Sequence, residues 1–276
     1  MGRIGGNLIN PLFTFKYPGR EPKYLDGFLQ ERPDILDYYI YDVNLSSGEL
    51  LYLSKGGIGA TREPYIARMH EWIKTSTVKS TLEHAYKTRF REDIGKWRYM
   101  MLKEKFNEYP NKLENWAQCA ELYLLWVGSN FTHRYRIGGY DGVFFPTQLK
   151  AEQLLNASRT SREKNLLFRE EDLFSFKESI INDNVIVYSH LPREFGTFGA
   201  GWMWNQSNLE RFTRVINEFA TSGKKILISA QFELRSRVEL DYREYFPNFN
   251  YIIIPEFKES RSFLGSSNSE VYLFNF

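Results

Sequence analysis

Residues Asn184–Pro192 read NVIVYSHLP, and Val185–Tyr188 form an apolar run without a polar interruption. A half-exposed strand alternates apolar and polar residues, whereas a short unbroken run suits a strand covered on both faces. The stretch therefore predicts an inner strand of an α/β sheet. The polar Ser189 and His190 follow directly. They fall at the carboxyl end of that strand, where open α/β sheets hold their ligands.

Downstream, Ser207 with Glu210 forms a capping-box pattern, and Leu209, Phe212, Ile216 and Phe219 follow at helical spacing. Gly223 stands where such a helix would end in a left-handed residue. Further strands are predicted at Lys225–Ser229, Phe249–Ile254 and Glu270–Phe274. A β–α–β order followed by closely spaced strands predicts a mostly parallel sheet with a C-terminal hairpin.

Upstream, the opening residues are rich in Gly and Pro, and Tyr24–Phe28 and Asp37–Val43 read as short strands. From Arg62 to Asn111 the patterns are helical and heavily charged. Lys87, Arg89, Arg91, Lys96, Arg98, Lys103 and Lys105 interleave with Phe90, Trp97, Tyr99 and Phe106. A solvated amphipathic helix pair and a phosphate-contacting face both stay open for that run. In Leu113–Val127, Leu113, Trp116, Ala120, Tyr123 and Val127 recur on one stripe, predicting a buried helix face. Gly128–Pro146 is a loop rich in Gly, Arg and aromatic residues, long for a connection without function.

A chain of 276 residues suits one α/β domain with an inserted or appended subdomain. A net charge of +2 excludes a polycation, so nucleic-acid contact would need a local basic face. The single cysteine, Cys119, excludes an internal disulfide and a multi-cysteine zinc site; within its helical pattern it reads as a small buried residue. Neither a signal peptide nor an apolar run of bilayer length stands out, so a soluble, cytoplasmic protein with no membrane partner is expected.

Taken in order, these segments resemble the Dam-like class of adenine-specific DNA methyltransferases, including its phage members. The resemblance runs nearly the whole length and rests on the order of the parts rather than on one motif. It implies a Rossmann-like methyltransferase sheet, mostly parallel with a C-terminal hairpin, plus a small helical target-recognition subdomain. The implied division is 1–60 with 150–276 for the α/β domain and 61–149 for the recognition part. Gly2–Asn10 (GRIGGNLIN) looks like the family's opening segment, with Asn7 at the place of its lysine. Tyr24–Phe28 (YLDGF) resembles its first strand, carrying Asp26 and Phe28; Leu29, Gln30 and Glu31 stand where a glycine-rich turn would follow. Tyr41–Asn44 (YDVN) resembles the second strand, which implies that Asp42 accepts hydrogen bonds from the ribose of S-adenosylmethionine. Asp172, in Asp172-Leu173-Phe174, is implied to take the amino group of the cofactor's adenine. Glu270–Asn275 resembles the closing strand.

Phe131–Pro146 resembles the target-recognition hairpin. The implied roles are an intercalating ring at Phe131, a guanine-reading guanidinium at Arg136 with Arg134 beside it, and the loop proline at Pro146. Ser189, His190, Leu191 and Pro192 fall on the family's Asp-Pro-Pro-Tyr. That chemistry needs acceptors for the target amine and a ring to stack on the extruded base. Ser189 could still accept one bond; the prolines and the ring are displaced or absent, with Phe195, Phe198, Trp202 and Trp204 as substitutes for the ring. Three readings stay open. One is a divergent, catalytically impaired relative with a weakened or lost S-adenosylmethionine site, acting on double-stranded DNA or as partner of a catalytic protein. Another is an active methyltransferase using Ser189, His190 and Pro192. The third is other nucleotide chemistry, with His190 and Gly199–Asn205 forming a new site.

Overall fold

A computed structural model describes residues 22–89, 95–108, 113–127, 132–133, 136–137, 148–171, 184–191, 198–199, 202–233, 241–255 and 268–276. The chain opens with α1 (Pro22–Glu31), a 3-10 turn at Pro33–Asp37, β1 (Tyr39–Asp42), α2 (Glu49–Leu53) and β2 (Gly56–Thr61). Next come α3 (Pro64–Lys74), α4 (Val78–Arg89), α5 (Gly95–Glu108), α6 (Trp116–Val127), β3 (Thr132–His133), β4 (Arg136–Ile137) and α7 (Gln148–Glu163). The C-terminal half holds β5 (Leu167–Glu170), β6 (Val185–Leu191), β7 (Phe198–Gly199), β8 (Trp202–Met203), α8 (Gln206–Thr221), β9 (Lys225–Glu233), α9 (Tyr242–Tyr245), β10 (Asn250–Pro255) and β11 (Asn268–Phe274).

The main sheet has seven strands in the order β10-β11-β9-β6-β1-β2-β5. The strands from β9 to β5 are parallel to one another, and β11 runs antiparallel between β9 and β10. This is an α/β mixed sheet, mostly parallel, with the expected C-terminal hairpin and compatible with a Rossmann-like fold. Every residue of β6 is buried, as its apolar run requires. The period of two sends Ile186 and Tyr188 into one layer with Ile40, Leu227 and Tyr272. Val185, Val187 and Leu191 enter the other, against Leu209, Phe212, Ile216 and Phe219 of α8.

That helix matches its expected buried stripe, but its cap differs. Asn205, not Ser207, accepts the hydrogen bond at the N-terminus, from Asn208 N at 2.9 Å. Either polar residue has the chemistry of a cap; the one with extended backbone takes the role. Gly223 ends the helix at φ 78°, and Lys224 N donates to Phe219 O at 3.0 Å.

The expected strand at Tyr24–Phe28 is a helix instead. Tyr24, Leu25, Phe28 and Leu29 are buried at helical spacing, with Pro22 at the helix start where its missing N–H costs nothing. A five-residue window hides that period. The Phe28 ring stacks on Tyr272 at 4.1 Å between centroids, and a Cβ at Gly27 would meet Ile254 Cγ2 at 2.8 Å. α1 is thus pressed onto the C-terminal hairpin. Consequently Tyr39–Asp42 is the first strand of the sheet, not the second.

The long connection from β2 to β5 carries α3, α4, α5, α6 and α7. α3 packs on α7, β5 and β2, whereas α4 and α5 pack on α6. In α5, Tyr99, Leu102 and Phe106 are buried while Trp97, Met100 and Met101 are exposed. Cys119 is buried in α6 as expected, and burial pushes its thiol up to about 12. Within the loop 128–146, β3 and β4 pair antiparallel, Thr132 beside Ile137 and His133 beside Arg136.

Candidate functional site

The sheet changes winding direction between β1 and β6: β2 and β5 lie on one side of β1, β6 and β9 on the other. A crevice at the carboxyl ends of such a strand pair is the usual ligand site of an open α/β sheet. Asp42 ends β1 beside Tyr188 of β6, and His190 lies two residues further along β6. Strand alternation puts Asp42, Tyr188 and His190 on one face, with Ser229 of β9 and Glu270 and Tyr272 of β11.

These groups form a buried polar network. Asp42 Oδ1 accepts from Asn44 N at 3.1 Å, and Asn44 Nδ2 donates to the His190 carbonyl at 2.6 Å. His190 Nδ1 is 2.9 Å from Ser229 Oγ, which also meets Tyr188 OH at 2.8 Å. Glu270 Oε1 lies 3.6 Å from the same His190 nitrogen. A nucleophile–base–acid relay uses opposite nitrogens of the imidazole. Here serine and carboxylate share Nδ1, and Ser229 is fully buried. The geometry orients the histidine rather than activating the serine.

The first turn, residues 43–48, is bound down by its own chain. Leu45 N donates to Ala60 O at 2.9 Å, and the Leu45 side chain fills the space a Cβ at Gly59 would need, 2.7 Å from Cδ2. Gly48 takes φ 71°, the left-handed region that lets the turn enter α2. His70 Nε2 meets Ser46 O at 2.8 Å, and Tyr52 OH meets Nδ1 at 3.0 Å. A carbonyl only accepts, so Nε2 carries the proton and Nδ1 accepts from the tyrosine. Complete burial lowers the His70 pKa to about 4, against a smaller raising effect of the bond to Ser46. Ser47 Oγ donates to Glu49 Oε2. Lys164 Nζ caps the end of α2, donating to the carbonyls of Tyr52 at 2.8 Å, Leu53 at 3.0 Å and Ser54.

The expected site residues separate. Asp42 and His190 come together on one face. Ser189 is buried on the opposite face, and among the described residues its Oγ has no hydrogen-bond partner. Asp26 lies on α1 with its carboxyl raised by burial, and Phe28 is core. Trp204 is also core, donating from Nε1 to Tyr242 OH at 2.9 Å and meeting Phe212 edge-on. Arg136 is placed by its backbone in β4. Asn7, Phe131, Arg134, Pro146, Asp172, Pro192 and Phe195 lie outside the described residues. The sequence reading gave no role to Asn44, Ser229, Glu270 or His70. Glu270 had a signal: it shares the alternation of Tyr272 and Phe274, so a charge there points into the sheet's layer.

An S-adenosylmethionine site would ask for bare backbone at the first turn and an acid at the end of the second strand, about 20 residues on. Glu63 supplies such an acid beyond β2, but it is buried, with its N–H on Thr61 Oγ1 at 3.1 Å. At the turn itself Asn44, Leu45, Ser47 and Glu49 are all buried side chains. Among the described residues, side chains therefore stand at the turn where the cofactor would ask for bare backbone. Among the described residues no group of three or more His, Cys, Asp and Glu could hold a metal ion, and no helix is long and apolar enough to cross a membrane. Set against known proteins, the chain matches no family model and no curated sequence.

Proposed function

We propose that this chain is a divergent relative of the DNA adenine methyltransferases that acts on double-stranded DNA, or as the partner of a catalytic subunit, without transferring methyl groups itself. The observation carrying the reading is the first turn, where Asn44, Leu45, Ser47 and Glu49 are buried side chains and the Asn44 amide reaches the His190 carbonyl. The sheet supports the family part, since it is mostly parallel and ends in a C-terminal hairpin, β10 with β11, as the resemblance implies. The insertion between β2 and β5 supports the DNA part. It combines a charged helical group with the short antiparallel pair β3–β4, in the segment that resembles a recognition hairpin.

Duplex binding measured against salt tests the reading. Neutralised phosphates release counterions, so affinity should fall steeply as salt rises. Arg136→Ala should weaken binding by about 1–3 kcal/mol if the guanidinium reads a guanine edge. Tritiated methyl transfer to the same DNA should stay at background for the chain alone. Steady incorporation without a partner, or no affinity for duplex at low salt, would remove the proposal.

A further inference from the structure

We propose that Asn44 is an internal occupant of the switch-point crevice, a clasp that joins the first turn to β6 and excludes adenosine-bearing ligands from the free chain. The inference deepens the reading above and rests on it for the class of ligand. Its geometry is independent of the resemblance. β1 and β6 are the two strands from which the sheet winds in opposite directions, so their carboxyl ends should part to admit a ligand. They are bridged instead. The Asn44 carboxamide crosses from one strand end to the other and donates at 2.6 Å to the His190 carbonyl, in a bond buried from solvent.

Both ends of the clasp are fixed. Asp42 Oδ1 takes the Asn44 backbone N–H at 3.1 Å, forming an Asx-type turn that aims the amide across the crevice. On the far side, the ring of His190 is held through Nδ1 by Ser229, and that serine by Tyr188. The carbonyl that receives the amide therefore cannot turn away without breaking the network behind it. The amide presents an N–H donor borne on a flat π system. An adenine amino group offers the same donor and the same shape to a carbonyl. Ligand and clasp would compete for one acceptor in one space.

Calorimetry with adenosine, on the full chain, tests this directly. The wild-type chain should bind it weakly and without preference over N6,N6-dimethyladenosine, which lacks the amino donor. Asn44→Ala removes the clasp, and Asn44→Asp keeps its size but not its donor. In at least one folded variant, adenosine should gain about tenfold, the equivalent of roughly 1.4 kcal/mol and of one hydrogen bond. The gain should be missing for the dimethylated compound. Tight binding of adenosine by the wild type would overturn the clasp, as would folded variants that bind no better. Duplex affinity, read in parallel, separates the two proposals. A chain that fails to bind DNA but gains adenosine in the variants loses the functional reading and keeps the clasp.

Discussion

The two faces of β6 differ in kind. On the α8 side, Val185, Val187 and Leu191 meet Ile226, Ile228, Leu209 and Phe212 in a continuous apolar layer, interrupted by Ser189. On the other side the strand begins the same way, with Ile186, but ends in Tyr188 and His190 bonded to Ser229 and to the Asn44 amide. One strand thus carries a fold-making face and a site-making face in alternate residues. Packing density governs the first, and hydrogen-bond satisfaction the second.

The largest effect expected from this contrast is on the apolar face. Phe212 is fully buried and sits edge-on to both Trp204 and Phe246. Phe212→Ala removes that ring and leaves a cavity, so urea denaturation should show a loss of about 3–5 kcal/mol. A loss below about 1 kcal/mol would mean the α8 layer can collapse around the gap, and the distinction between the faces would weaken.

On the polar side the corresponding lever is pH. His70 holds the Ser46 carbonyl while neutral, and burial lowers its pKa to about 4, below the ordinary 6.5. The unfolded chain therefore takes up the proton first as pH falls. The stabilising contribution is complete above pH 6.5 and is lost progressively down to about pH 4. Over that window the loss should approach about 3 kcal/mol. His70→Gln should flatten this part of the stability profile. An unchanged slope in the variant would assign the acid sensitivity to other groups.

The apolar face was legible in the sequence because its signals are local. The run Val185–Tyr188, the stripe of α8 and Gly223 each sit within one element, and each matches its expected role. The C-terminal hairpin was legible for the same reason. The polar face was not. Asn44 and the His190 carbonyl are 146 residues apart, and His190 and Ser229 are 39 apart, so no window holds both partners. Because Tyr24–Phe28 is helical, the sheet starts one element later than its short apolar segments suggest, and Asp42 ends the first strand rather than the second.

The smallest effect is also the sharpest. Ser189 and Ser229 stand on neighbouring strands, Ser189 beside Ile228 and His190 beside Ser229, and their side chains point to opposite faces. Ser229 Oγ joins Tyr188 to His190; Ser189 Oγ has no partner among the described residues. A buried hydroxyl without a hydrogen bond costs stability, whereas removing one that serves two partners leaves both of them unsatisfied. Ser229→Ala should therefore cost about 2 kcal/mol, and Ser189→Ala should be neutral or stabilise by up to about 1 kcal/mol. Both variants lose one oxygen and no carbon, so packing changes are matched and the difference isolates hydrogen bonding. Equal losses in the two would mean that Ser189 has work on its own face after all. The division of β6 into a packing face and a bonding face would then be wrong at the residue where the two meet.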